Sequence, residues 1–337
     1  MGEHTIQELH SQPAIWRHTL DELRAPSGPL SALDSYARQG PVLFTGCGSS
    51  YYAALAAAAA WTRFAGGPAF ALSATDVMAY PECHFVPGAP GTAVAISRSG
   101  KTPETRAAVS NLKPLGWQSA AISCYPGTAV PSVCDASLLL AEAAEKSRFT
   151  TRVFTSTVLS ILFWAARRSG NAAFEAELCA LPDLAAALID RHESSLHDLA
   201  TAGRFDNYIY LGHGPYFGLA SEAMLKTKEM AATPAEVYHS QELLHGPRYA
   251  VGPSTFVSVL LSEGNRDLQL ELLPKLKGYG AQVLVVCEEA VTAVRENATW
   301  VYELRSGLSD FGRMLLVMPI LQLFAYYRAL ALGKTVD

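Results

Sequence analysis

The second half of this chain repeats the first. The apolar run 42–45 leads into Gly46-Cys47-Gly48 and a helix-forming stretch, and 208–211 leads into Gly212-His213-Gly214 and another, 166 residues later. Gly116-Trp117-Gln118, before a run ending at Cys124, matches Gly280-Ala281-Gln282, before a run ending at Cys287, at spacings of 164 and 163. The runs 137–140 and 299–302 follow at a spacing of 162. An offset this constant over about a hundred residues marks one structural plan used twice. Whatever the first half folds into, the second must fold into as well.

That plan is readable in the first copy. Residues 41–45 (PVLFT) end in Gly46-Cys47-Gly48-Ser49-Ser50 and an alanine-rich helix over 51–64, which is strand, Gly-rich turn, helix. Runs 69–73, 92–96, 119–123 and 137–140 read as further buried strands, with a crossover helix over 102–112. Short apolar strands separated by helices fit a doubly wound parallel sheet covered on both faces, in the order 2-1-3-4-5. Residues 159–198 read as helix that packs and connects. Residues 1–35 read as a helical lead-in, with Ile6, Leu9, Ile15 and Leu20 at helical spacing and Pro13, Pro26 and Gly28 as punctuation. The expected fold class is α/β. Two tandem domains, each a five-stranded parallel sheet between helical layers in flavodoxin-like order, would be divided as 1–35 lead-in, 36–170 first domain, 171–200 connector and 201–337 second domain.

Composition narrows the function classes. Half of the 337 residues are hydrophobic and the net charge is only −5, so disorder is excluded. The mild acidity and the lack of any basic run argue against nucleic acid. The most apolar stretches, 53–61 and 314–325, fall short of the ~20 residues needed to cross a bilayer. The N-terminus, Met1-Gly2-Glu3-His4, has no apolar signal core. Six cysteines without a C-x-x-C pair read as reduced, small hydrophobes. The expectation is a cytoplasmic protein with no membrane and no nucleic-acid partner.

The two copies diverge where chemistry would be done. After its third strand, copy one carries Ile96-Ser97-Arg98-Ser99-Gly100-Lys101-Thr102; copy two carries Leu261-Ser262-Glu263-Gly264-Asn265-Arg266-Asp267. An anion site is therefore expected in copy one alone. Ser97, Ser99 and Thr102 can donate to phosphate oxygens beside a helix N-terminus, whose unpaired N–H groups favour negative charge. The same loop also fits an ordinary N-cap, with Ser99 or Thr102 capping and nothing bound. Ser49 and Ser50, on the same sheet edge at the switch point, favour the anion. Nucleotide motifs fail: G-x-G-x-x-G would need glycine where Tyr51 stands, and the P-loop glycine five residues before Gly100 is Ala95.

A second constellation is 221–230 (SEAMLKTKEM) followed by 239–247 (HSQELLHGP). Glu222, Lys226 and Glu229 share one helical stripe. Carboxylates beside a lysine can serve as tuned acids and bases. Taken alone, the pattern favours a solvated face with Glu–Lys pairs. A lone His245 in a His-Gly-Pro turn is more often structural than catalytic. His239, Glu242 and His245 match no zinc spacing.

With these motifs in order, the sequence over roughly 36–330 resembles the sugar isomerase (SIS) domain family. The likeness is to its two-domain form, the isomerase half of glutamine–fructose-6-phosphate aminotransferase and its stand-alone relatives. The resemblance rests on Gly46-Cys47-Gly48-Ser49-Ser50, on Ser97-Arg98-Ser99-Gly100-Lys101-Thr102, and on Thr150-Thr151-Arg152-Val153-Phe154-Thr155. Glu222 to Glu229 and Glu242-Leu243-Leu244-His245-Gly246-Pro247 complete it. It implies a phosphate cradle of Ser50, Ser97, Arg98, Ser99 and Thr102, and a sugar lined by Ser49, Arg148, Thr150 and Glu222. It implies Glu229 as the carrier of a proton between C1 and C2, Lys226 as the helical lysine near the substrate, and His245 as the ring-opening group. In similar enzymes that histidine comes from the neighbouring subunit, which implies a homodimer.

Three features depart from the family. Position 2 is Gly2 rather than cysteine and no glutaminase domain is present, so ammonia is not expected to come from glutamine by that route. The end, Gly333-Lys334-Thr335-Val336-Asp337, resembles the beginning of the family's tail, so Lys334 is not equated with its catalytic lysine. Arg148 stands where a small apolar residue is usual. The expected function is an aldose–ketose isomerase or deaminase for an aminosugar 6-phosphate, of the glucosamine or galactosamine type, needing no metal or organic cofactor. The alternatives are a fructosamine-6-phosphate deglycase, with Arg148 meeting a carboxylate, and a non-catalytic sugar-phosphate-binding regulator.

Overall fold

The computed structural model describes residues 2–25, 28–36 and 40–337; Pro26, expected to punctuate the lead-in, lies outside them. The chain forms two compact units, Ser11–Pro182 and, as the other, the start of the chain to His10 together with Asp183–Asp337. The lead-in is thus divided: α1 (Glu3–His10) goes with the later unit, and α2 (Gln12–Arg24) and α3 (Leu30–Leu33) with the earlier one.

In the unit Ser11–Pro182, β1 (Val42–Gly46) runs into α4 (Ser49–Phe64), followed by β2 (Ala69–Ser73), α5 (Ala74–Ala79) and β3 (Thr92–Ile96). Then come α6 (Pro103–Leu112), β4 (Gln118–Ser123), β5 (Ala136–Leu139) and α7 (Arg152–Ser169). The sheet order is β2-β1-β3-β4-β5, all pairs parallel. Every residue of β1 and β3 is buried, whereas β2 at the edge is only half-buried throughout. Helices cover both faces, which is why the central strands read as continuous apolar runs. In α7, every residue from Val153 to Ala166 is buried. Trp164 packs edge-on to Trp61 of α4 with ring centroids 4.5 Å apart, and its indole N–H donates to Asp34 Oδ1 at 2.8 Å. Each such ring contributes on the order of 2–3 kcal/mol through its buried apolar area.

The stretch 159–198, expected as one helical run, is broken. Gly170 adopts the left-handed conformation (φ 64°) and its N–H closes on Ala166 and Arg167 carbonyls, ending α7 before α8 (Ala172–Ala202) begins.

The later unit contains β6 (Asn207–Gly212), α9 (Pro215–Ala231), β7 (Ala235–His239), β8 (Thr255–Leu260), α10 (Arg266–Gly278) and β9 (Gln282–Cys287). It closes with α11 (Thr292–Asn297), β10 (Trp300–Glu303), α12 (Asp310–Arg313) and α13 (Val317–Ala331). Its parallel sheet has the order β7-β6-β8-β9-β10, the same path as the first. The strand-to-helix turns also agree: Gly48 (φ 56°, ψ −128°) and Gly214 (φ 50°, ψ −126°) occupy one left-handed conformation. A Cβ on Gly46 would lie 2.8 Å from the Ile96 carbonyl, and one on Gly212 would lie 2.5 Å from the Tyr216 carbonyl.

One expectation about apolar length is corrected here. Residues Asp310–Ala331 form a 22-residue helical stretch whose most apolar 18-residue window has mean hydropathy 1.5, long and apolar enough by composition to cross a membrane. Its most apolar window is 83% buried inside the protein, because α13 is the core helix packed on α9. Arg328 of α13 is itself buried, donating to Tyr208 Oη at 2.6 Å and to the carbonyls of Ala200 and Gly203. At its far end, the Asp337 carboxylate accepts the N–H groups of Gly2 and Thr5 (2.9 and 3.0 Å), capping α1.

Candidate functional site

The residues singled out in the sequence fall into two groups, one in each unit. In the unit Ser11–Pro182 they gather at the carboxyl ends of the strands. One pocket is lined by Ser49 and Ser50 from the start of α4, Arg98 after β3, Ser123 and Cys124 at the end of β4, and Thr150 before α7. Its floor is apolar, with Ala53, Ile122, Leu140 and Phe154. Burial there pushes the Cys124 thiol up to about 12, so this cysteine is inert at neutral pH.

Of the hydroxyl-rich loop only Arg98 lines this pocket; Ser97, Ser99 and Thr102 are not among its lining residues. Ser97, 1% exposed, hydrogen-bonds Thr102 hydroxyl to hydroxyl at 2.9 Å. Ser99 Oγ accepts the Lys101 N–H at 3.2 Å. Thr102 stands at the N-cap of α6 but makes no side-chain cap bond. The ordinary-cap reading of Thr102 is therefore not what the loop does: its hydroxyl bonds Ser97 and does not cap α6. Gly100 (φ 63°) makes the turn possible; a Cβ there would strike the Thr128 hydroxyl at 1.9 Å.

Arg98 has two partners. Its Nη1 lies 3.3 Å from Glu145 Oε2, and its Nη2 donates to the Arg148 carbonyl at 3.1 Å. The Glu145 side chain has no exposure. Burial pushes its pKa above the ordinary carboxylate value, while the Thr151 N–H, the Arg98 guanidinium, the Thr151 hydroxyl and the Val153 N–H hold it back. Arg148 contributes its carbonyl to this cluster, and its side chain is exposed. Sequence reasoning missed Glu145.

In the later unit, α9 carries the second group. Glu222 and Lys226 are both fully buried, which overturns the solvated-face reading of this stripe. Lys226 Nζ lies 3.4 Å from Glu222 Oε1 and bonds Glu229 Oε2 directly. Glu229 is 37% exposed, so the cluster opens outward through this one carboxylate. A fully buried ammonium must be paired, and here it holds a carboxylate on each side. The arrangement can present an oriented base to a bound C–H and keep a positive charge beside developing negative charge.

His245 ends the turn Glu242–Leu244 that follows β7; its N–H bonds the Glu242 carbonyl at 3.0 Å and its ring is exposed. His239 stacks on Phe217 at 3.8 Å, away from any ligand cluster. Among the described residues, no group of three or more His, Cys, Asp or Glu side chains could hold a metal ion.

The place in this sheet that corresponds to the hydroxyl loop is filled differently. Arg313, 6% exposed, is held by Glu263 (2.7 Å), Asp310 (3.0 Å) and Glu288 (3.7 Å).

No family model matches the chain. It is 28% identical over 359 residues to glutamine–fructose-6-phosphate aminotransferase [isomerizing] of Pseudomonas putida, covering 98% of this chain and 56% of the relative. The chain thus spans about half the length of the curated relatives it matches. Among solved structures, it is similar to the C-terminal domain of glucosamine-fructose-6-phosphate aminotransferase from Francisella tularensis, with TM-score 0.86, 22% identity, and 100% and 98% of the two chains covered. Tagatose-6-phosphate ketose/aldose isomerase from Escherichia coli gives TM-score 0.88 at 23% identity, covering 100% and 95%. Glucosamine-6-phosphate deaminase from Thermotoga maritima gives 0.84 at 22%, covering 99% and 97%. At these identities the structural likeness carries the fold.

Proposed function

We propose, from the premise that this chain is a homologue of the isomerase (SIS) half of glutamine–fructose-6-phosphate aminotransferase, that it is an isomerase and deaminase of an aminosugar 6-phosphate. The observation that carries the reading is the α9 cluster, a buried ammonium between two carboxylates of which only Glu229 reaches outward. The substrate phosphate would sit against Ser50, Ser97, Arg98, Ser99 and Thr102, with Ser49, Arg148, Thr150 and Glu222 lining the sugar. His245, supplied across a homodimer interface, would help open the ring. Glu229 would take the proton from C2 of the open aldose and return it to C1, through an enolamine when C2 bears nitrogen. Lys226 would offset the charge that develops. The product is then a 2-imine, which water hydrolyses to the ketose 6-phosphate and ammonia. The carbonyl acidifies the C–H removed, which makes a carboxylate base adequate. A sugar-phosphate substrate and six free cysteines suit a reducing cytoplasm.

A second reading has one observation in its favour. The exposed Arg148 guanidinium pairs with no carboxylate among the described residues, so a substrate carrying an amino-acid carboxylate would find a partner there. That is the fructosamine-6-phosphate deglycase.

The test is ammonia release and ketose 6-phosphate formation from glucosamine 6-phosphate, galactosamine 6-phosphate and fructoselysine 6-phosphate, assayed in parallel. Turnover of either aminosugar supports the deaminase and names the epimer. Turnover of the fructosamine alone replaces it with the deglycase. Binding of all three without turnover would leave a sugar-phosphate-binding regulator.

A further inference from the structure

Glu145 is a charged side chain with no exposure, outside the set of residues that line the pocket, yet bonded to two elements that do. Its two oxygens divide the work. Oε1 accepts the Thr151 N–H (2.6 Å), the Thr151 hydroxyl (2.9 Å) and the Val153 N–H (3.2 Å), closing the N-terminus of α7. Oε2 faces Arg98. A helix N-terminus needs an acceptor but not a full negative charge, and a neutral amide would satisfy the same donors. The charge is explained by the guanidinium.

Arg98 in turn bridges two loops. Its backbone carbonyl accepts the Cys124 N–H at 3.1 Å, which fixes where the residue starts, and its Nη2 holds the carbonyl of Arg148. The hydroxyl loop after β3 and the stretch 148–150 before α7 are therefore joined through one side chain that also lines the pocket. An anion arriving at Ser97 and Ser99 would draw on the same guanidinium that holds the opposite rim.

We infer that Glu145 is a positioning residue: it anchors Arg98 so that phosphate recognition and the placement of the 148–150 stretch are coupled, making the site select a sugar phosphate over free phosphate. This rests on the reading of the loop as a phosphate site. Without the anchoring charge, Arg98 is free to meet any phosphate, and the opposite rim loses its tie. Free phosphate should then bind as well or better, while the advantage of the sugar-bearing ligand shrinks.

The experiment measures the affinity of the full chain for inorganic phosphate and for fructose 6-phosphate, in wild type, Glu145→Gln, Arg98→Gln and the double variant. The ratio of the two dissociation constants should fall about tenfold in Glu145→Gln, the size expected for groups in one hydrogen-bonded network. Phosphate itself should bind no more weakly. In the Arg98→Gln background, adding Glu145→Gln should change the ratio no further. An unchanged ratio, an equal loss for both ligands, or additive effects in the double variant would overturn the inference and leave Glu145 as a helix cap. Should Glu145→Gln fail to fold, Arg98→Gln alone decides, since a ratio it leaves intact removes the coupling. If wild type binds neither ligand, the phosphate reading itself has failed, which is a different result from a wild type that binds and a variant that matches it.

Discussion

The helix after the first strand of each sheet is the same element built twice and used for opposite purposes. At a spacing of 166, Glu222, Lys226 and Glu229 of α9 correspond to Ala56, Ala60 and Arg63 of α4. Ala56 and Ala60 are fully buried and apolar; Glu222 and Lys226 are fully buried and charged. The loops after the third strands are reversed. In the earlier unit that loop offers hydroxyls and an arginine paired to one carboxylate, while in the later unit three carboxylates surround Arg313. Each copy therefore carries polar machinery at one position and a filled, self-satisfied version at the other. A scaffold of parallel strands supplies the location, and the side chains at a handful of sites decide whether it stays chemically open.

The largest effect should come from the charged helix. Glu229→Gln should lower turnover by about 10²–10⁴-fold, the range for loss of a general acid–base group, with fructose 6-phosphate affinity unchanged within about threefold. Normal turnover in this variant would remove Glu229 from the mechanism. Making α9 resemble α4 should expose the cost of its charges. Lys226→Met leaves the buried Glu222 without its ammonium and should destabilise the fold by about 3–5 kcal/mol in urea titration. Glu222→Leu with Lys226→Met should regain most of that stability, yet stay inactive.

The loops give a smaller contrast. Ser97→Ala should weaken phosphate binding by about 10–100-fold, as expected for one hydrogen bond to a charged group, whereas Ser262→Ala should leave it untouched. Equal losses would show that both sheets bind anions.

The smallest effect is on pH. Burial, with His239 nearby, lowers the pKa of His213, whose counterpart at the same turn is Cys47. The fold prefers the neutral ring, so the stability is fully present above the unfolded value near 6.5 and is lost as pH falls through the folded value. The thermal midpoint should drop between pH 7 and pH 5, and His213→Asn should flatten that slope.

Much of this was legible because strands buried on both faces leave unbroken apolar runs between glycines. The runs 92–96 and 119–123 are β3 and most of β4, and the repeat extends the same path to the second sheet. Three features were not. The periodicity of an alanine-rich helix does not say which face is covered, so the burial of Lys226 was invisible. The long apolar window within Asp310–Ala331 hides in the sequence because Tyr326-Tyr327-Arg328 interrupts its apolar run. Glu145 acts on a helix whose first residue lies seven positions later, Arg152, and on an arginine 47 residues earlier, and no local pattern reports such a pairing.

One consequence concerns the order of synthesis. Helix α1 is made before the unit Ser11–Pro182, but Tyr326 and Asp337, which bond Gly2 and Thr5, follow it by more than 300 residues. The unit Ser11–Pro182 has all its own parts well before then and can fold as a domain during elongation. Helix α1 must wait through that whole interval with its buried face of Thr5, Glu8 and Leu9 unclaimed, which leaves it open to chaperones and proteases.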